Sequence, residues 1–312
     1  MNGILNVLKP AGMTSFDVIG YMRRITGQKK IGHAGTLDPS AVGVLPLCIG
    51  NATRALEFMI DKDKVYRAEL TLGISTDTQD SSGKVLSSHS IDVTENEIRK
   101  TITNFMGTIE QLPPMYSAIK IGGKKLYELA RQGQTIERES RTIHIFNLDV
   151  IRIWDDKAIF ESEGVTKEFA VKKVLLDVHC SKGTYIRTLC HDIGESLGCG
   201  GHMSFLVRTR AGQYDLDNAL TMEEIVQLSE TESLEGHLLP VEKIFEEYES
   251  IELNKEELFK YNNGVWLEVE KNKYKNTFYR VYDNNSFLGL GEVFEKGNTL
   301  YLKSKKFFKD EH

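Results

Sequence analysis

Apolar and polar residues alternate over the first positions of the chain and stop at Lys9-Pro10, which predicts a short strand there. Thr14-Ser15 ahead of Phe16-Asp17-Val18-Ile19 predicts a helix running through Arg24, with one of the two hydroxyls as its N-cap. Residues 42–49 form an apolar run dense enough to fill a core. Residues 65–72 alternate and read as a strand with Tyr66 and Leu70 on one face. A polar, turn-rich loop at 76–83 follows, then helical spacing at 95–105 behind Val93-Thr94. Further on, 171–178 and 183–188 read as strands around a tight bend at Ser181-Lys182-Gly183. Residues 188–196 read as an amphipathic helix closed by Gly198.

Two stretches break this rhythm. Pro113-Pro114 stops regular structure, and a short helical piece at 126–131 ends near Gly133, so 112–145 reads as an insertion. After residue 247 the pattern becomes short aromatic-rich strands at 266–269, 278–282, 287–290 and 299–302. Asn262-Asn263-Gly264, Asp283-Asn284-Asn285 and Lys296-Gly297-Asn298 supply the turns between them, the signature of a small barrel. The expected division is a large domain over 1–247 and a small one over 248–312.

Composition narrows the class without naming a function. The 312 residues are 40% hydrophobic, enough to bury a real core, and no apolar run approaches a bilayer-spanning length. The N-terminus lacks the charged and apolar regions of an export signal, so a cytoplasmic protein is expected, with its four cysteines reduced. The net charge of −6 is unevenly spread. Residues 1–212 carry 27 Lys and Arg against 24 Asp and Glu, whereas 213–247 carry one Lys against ten acids. That acidic segment opens with Thr221-Met222-Glu223-Glu224, a capping-box pattern, and reads as a solvated helical face turned away from substrate. Within 116–144 six cations, among them Lys120 and Arg131, face three acids beside two tyrosines. An RNA-gripping flap would have this composition, and so would a solvated loop.

Candidate chemistry centres on Gly35-Thr36-Leu37-Asp38-Pro39, one carboxylate among turn formers beside the apolar run. Walker loops, dinucleotide fingerprints and H-E-x-x-H patterns are missing from the sequence. Cys199-Gly-Gly-His202 with Cys190-His191 only half meets the spacing rule for zinc, and local packing is the competing reading.

The run IGHAGTLDPSAVGVLPLCIGNATR at 31–54 resembles the catalytic motif of the TruB-type pseudouridine synthases. Four more blocks resemble the same family in the same order: GILNVLKPAGMTS at 3–15, KVYRA at 64–68, PPMYSAIK at 113–120 and CSKGTYIR at 180–187. The likeness is close over residues 1–225 and loose beyond. It implies an α+β fold: a catalytic domain with a mixed, largely antiparallel sheet flanked by helices, an RNA-clasping thumb at 112–145, and a PUA-like C-terminal β-barrel. It also implies isomerisation of uridine 55 in the T loop of tRNA, by a monomer needing neither cofactor, metal nor obligatory protein partner.

Residue by residue, the resemblance makes Asp38 the catalytic carboxylate, Arg187 its pairing cation, and Tyr66 the ring stacked on the uracil and available for proton transfer at C5. Tyr185 and Leu206 would line the base pocket, His33 would fill the gap left by the flipped base, and Lys9 would support the loop. Lys120, Arg131 and Arg208 would contact RNA, Arg208 at a phosphate, with Val207 standing where relatives often carry another arginine. The small domain would reach toward the acceptor stem. Two other readings stay open at this point: a tRNA-folding factor with catalysis secondary, and a guide-RNA-dependent relative.

Overall fold

The computed structural model describes residues 1–162 and 165–308. Its main sheet runs in the order Gly3–Lys9, Val42–Ile49, Gly201–Ala211, Lys64–Leu72, Val165–Cys180, Arg141–Ser162 and Gly107–Gln111. Ile31–His33 and Tyr214–Asp215 pair at its margins. The dense apolar run is a strand because seven of its eight residues are buried, so both faces of the chain must be hydrophobic. Along the main path each neighbouring pair is antiparallel except Val42–Ile49 with Gly201–Ala211, which lie parallel through Val207↔Val42 and Arg208↔Gly43. The sheet is mixed and largely antiparallel, as expected. At the parallel junction Gly43 has φ +115°, and a Cβ there would stand 2.2 Å from the Arg208 carbonyl oxygen. Only glycine fits.

Helix Ser15–Thr26 starts in a full capping box between Thr14 and Asp17 and ends on Gly27 in the left-handed region. It buries Val18, Ile19 and Met22 against Leu5, Val7, Leu45 and Leu47. A second core joins Leu70, Leu72, Leu176 and Val178 of the sheet to Ile98 and Ile102 of helix Glu95–Thr103 and to Leu189 and Ile193 of helix Ile186–Ser196. The acidic segment forms helix Met222–Glu230 with the expected Thr221–Glu224 capping box.

Residues 183–188 are not a strand. Gly183, at φ +80°, turns the chain, Tyr185 is the N-cap, and the helix begins at Ile186. The β-branched Ile186 and Thr188 favour extended backbone, but Ile186, Leu189, Cys190 and Ile193 recur at helical spacing and all are buried, so packing overrides propensity. The expected strand at 171–178 is the inner part of the longer Val165–Cys180, paired with Arg141–Ser162.

The C-terminal strands order as Ser250–Glu252, Phe278–Asp283, Ser286–Lys296, Thr299–Phe307 and Leu267–Val269. This PUA-like sheet curls into a half-barrel, and its two outer strands do not pair with each other. Phe308, 5.7 Å from Phe245 and 5.9 Å from Phe287 between ring centroids, ties it to the main domain. A Lys306–Glu57 ion pair of 2.6 Å adds to the junction.

Candidate active site

The loop carrying Asp38 is held from behind. Lys9 is fully buried, and its Nζ donates to the carbonyls of Pro10 (2.8 Å), Met13 (2.6 Å) and Pro39 (3.2 Å). The Gly12 amide donates to the Pro39 carbonyl at 2.8 Å, and Ser15 Oγ accepts from the Leu37 amide at 2.9 Å. Burial pushes the Lys9 ammonium down to about 8, with the Asp38 charge pulling the other way. The structure places Lys9 behind the loop that it was expected to support. Its reach across three carbonyls joins residues 9–15 to the Asp38 loop.

Arg187 sits in the first turn of helix Ile186–Ser196 with its side chain only 6% exposed. Its Nε lies 3.0 Å from Asp38 Oδ2, and its Nη2 donates to Asp38 Oδ1 at 3.4 Å and to the Tyr116 carbonyl at 2.8 Å. Nη1 lies 3.5 Å from Asp80 Oδ2 and donates to the Thr78 carbonyl at 3.3 Å. One guanidinium therefore stands between two carboxylates, and its planar fork suits that task. Burial raises the Asp38 carboxyl above the usual range; Arg187 pulls it down, Asp80 pushes it up and Lys9 pulls it down, in decreasing order. Arg187 favours the ionised carboxylate, yet burial outweighs it.

Three residues here escaped the sequence reading. Asp80 lies in what reads as a polar turn, where it also accepts from the Ser82 amide at 3.0 Å and Thr78 Oγ1 at 2.7 Å. Gln111 holds the Tyr185 backbone from both sides, donating to its carbonyl at 3.0 Å and accepting from its amide at 2.8 Å. Ser15 was legible only as a helix start. No local signal marks Asp80 or Gln111, because each acts through a partner distant in sequence.

Asp38, Tyr66, Tyr185, Leu206 and Arg208 line one open cavity of about 1130 Å³, together with Tyr116, Tyr127, Arg131 and Arg141 from the 112–145 stretch. Tyr66 faces Arg208 across the strand pair, and burial, the largest influence, pushes its phenol up against the opposing pull of Arg208. His33 does not line the cavity; it meets Phe16, which does, edge-to-face at 5.7 Å. Lys120 is exposed on a small hairpin outside the lining. None of the acids at 213–247 reaches the cavity.

Arg208, expected at a phosphate, is placed by the structure in the wall of the cavity and almost wholly buried. Its side chain is buried, with Nε donating to the Val44 carbonyl at 2.7 Å and Nη2 to the Gly35 carbonyl at 3.1 Å. It braces the loop from inside, because the strand pairing turns it inward. In the half-matched zinc pattern, His202 is buried against the Ile74 carbonyl at 3.0 Å, and burial pushes the Cys190 thiol up to about 12. Among the described residues no group of three or more His, Cys, Asp or Glu is placed to hold a metal ion.

Residues 23–186 match the TruB family pseudouridylate synthase N-terminal domain, and 187–246 match the tRNA pseudouridylate synthase B C-terminal domain. The chain is 53% identical over 242 residues to tRNA pseudouridine synthase B of Alkaliphilus oremlandii, covering 78% of this chain and 75% of that protein. Against the enzyme of the same name from Clostridioides difficile it is 43% identical over 315 residues, covering 99% of this chain and all of that protein. Among solved structures, a chain of a Cbf5–Nop10–Gar1 complex superposes with a TM-score of 0.70 at 27% identity, covering 99% of this chain and 85% of that one. A carboxylate paired with a buried arginine inside this fold, with family matches running over residues 23–246, leads to one conclusion: the chain belongs to the TruB family of tRNA pseudouridine synthases.

Proposed function

We propose that this tRNA pseudouridine synthase acts on uridine 55 of the T loop, with Asp38 as the catalytic carboxylate. The observation that carries the reading is the Asp38–Arg187 pair, 3.0 Å apart in a cavity also lined by Tyr66. The target uridine leaves the loop's stack at a cost of a few kcal/mol and enters the cavity. Breaking N1–C1′ develops oxocarbenium character at the sugar, as in glycoside cleavage, and an ionised carboxylate stabilises it. Asp38 attacks C1′, in a bond that breaks again when C5 rejoins, or takes the 2′ proton and returns it to C2′ on rejoining; both routes keep the intermediate shielded while the base rotates. C5 then bonds to C1′, C5 loses its proton, and N1 ends protonated, so the sum is an isomerisation.

Arg187 orients Asp38 and offsets part of the burial that favours its neutral form. A phenol pushed up by burial stays protonated at neutral pH, so Tyr66 serves first as a stacking surface and only second in proton transfer at C5. Tyr185 and Leu206 complete the base pocket, and His33, beside the mouth, enters the gap in the RNA. Arg131, Lys120 and the two thumb tyrosines clasp the T arm, while the C-terminal sheet extends toward the acceptor stem. The protein works as a cytoplasmic monomer on this reading, and no helix among the described residues is long and apolar enough to cross a membrane.

Incubation of purified protein with unmodified tRNA, followed by carbodiimide-stop primer extension, tests the assignment. The expected result is one new stop at the T-loop uridine, lost in Asp38→Asn. A missing stop, or one that survives Asp38→Asn, overturns it.

A further inference from the structure

Phe16 is 72% exposed, a large apolar ring at the second residue of helix Ser15–Thr26. The helix does not need it for packing, since Val18, Ile19 and Met22 already anchor the buried face. Neither is it placed at random. Its neighbour Ser15 holds the Leu37 amide at 2.9 Å, one residue from Asp38, so the ring stands on the brace of the catalytic loop. Phe16 lines the same cavity as Asp38 and Tyr66. It meets His33 edge-to-face, centroids 5.7 Å apart at 89°, a contact that covers at most one of its faces.

We infer that Phe16 is a base-stacking residue for a nucleotide flanking the extruded uridine, held at the mouth of the cleft with His33 packed at right angles to it. This rests on the reading that the cleft receives a flipped uridine of tRNA. The local charge separates base from phosphate as the occupant. A helix N-terminus ordinarily attracts phosphate, but here the Asp17 carboxylate already accepts from the Thr14 amide at 2.7 Å and from Thr14 Oγ1 at 2.7 Å. The end is capped and carries a negative charge, which repels a phosphodiester. An open ring beside that charge favours the π-face of a base, which carries no net charge. When the uridine leaves its stack, the neighbouring base loses a partner, and an aromatic face at the mouth replaces it.

The test compares Phe16→Ala, Phe16→Trp and unaltered protein on unmodified tRNA. Stacking predicts that Phe16→Ala raises KM about fivefold or more while kcat stays within about twofold, and that Phe16→Trp restores KM. In an Asp38→Asn background, a T-arm stem-loop with 2-aminopurine placed in turn on each side of the target reads the contact directly. Its fluorescence is quenched on binding when Phe16 is present, and Phe16→Ala abolishes the quench at one position. An unchanged KM, or a quench at both positions that ignores the substitution, overturns the inference while leaving the enzyme assignment intact. If the unaltered protein converts no T-loop uridine, the reading beneath it fails too.

Discussion

Arg187 grips both carboxylate oxygens of Asp38, at 3.0 Å and 3.4 Å, and does so from a helix 149 residues further along the chain. The same guanidinium reaches Asp80 at 3.5 Å. Removing it leaves two carboxylates facing each other in a partly dry cleft. Arg187→Ala is therefore expected to lose about 3 kcal/mol of stability or more, and nearly all activity. Arg187→Lys keeps the charge but not the fork, and should retain the fold while losing most of kcat. Urea denaturation and single-turnover assays on the two variants check both statements.

Asp80 lines the same cavity and stands 3.5 Å from Arg187, whose guanidinium it helps to orient toward Asp38. Asp80→Asn should lower kcat by roughly 10- to 100-fold, the usual scale for a residue orienting another, with tRNA affinity unchanged. Filter binding alongside single-turnover rates separates the two effects.

The pH dependence follows from charge. Burial and Asp80 both raise the Asp38 carboxyl, and only its ionised form stabilises positive charge at the sugar. Activity should fall as pH drops through that raised value, so the acid limb lies above that of an ordinary aspartate. Asp80→Asn removes one raising influence and should move the limb to lower pH. A limb that stays put or moves upward in a rate profile of the single-turnover step contradicts this.

Arg208 and Arg131 should behave oppositely. Arg208 is internal, so Arg208→Lys should lower the melting temperature and kcat while leaving the salt dependence of tRNA binding unchanged. Arg131 is exposed at the cavity, and Arg131→Ala should weaken binding and flatten the salt slope by about one counterion. Binding isotherms across a salt series distinguish them.

At the parallel junction, Gly43→Ala would force a Cβ to within 2.2 Å of the Arg208 carbonyl oxygen at a φ of +115°. The expected cost is about 2 kcal/mol or more, with activity falling because the Asp38 loop leads into this strand. Thermal unfolding compared with single-turnover rate measures both.

Much of this site was legible in the chain itself. Asp38 announces itself as a carboxylate between turn formers, and the alternation at 65–72 fixes which way Tyr66 points relative to Leu70. Capping boxes at Thr14, Thr94 and Thr221 mark three helix starts, because a hydroxyl and an acid three residues on satisfy amides within one turn. These are local interactions, and local interactions are written in neighbouring residues.

Tertiary structure alone decided the rest. Residues 183–188 carry strand-forming side chains, yet they open a helix because its apolar stripe finds a core to cover. Arg208 lies between Val207 and Thr209 like any strand cation, and only the pairing with Val42–Ile49 turns it inward to hold Gly35. Asp80, Gln111 and Phe16 take their places from partners across the fold, and no pattern of neighbours encodes such a partnership. The chain by itself set periodicity, caps and the candidate acid; which side chains share one cleft was settled by packing, since burial and long-range hydrogen bonds exist only once the sheet is assembled.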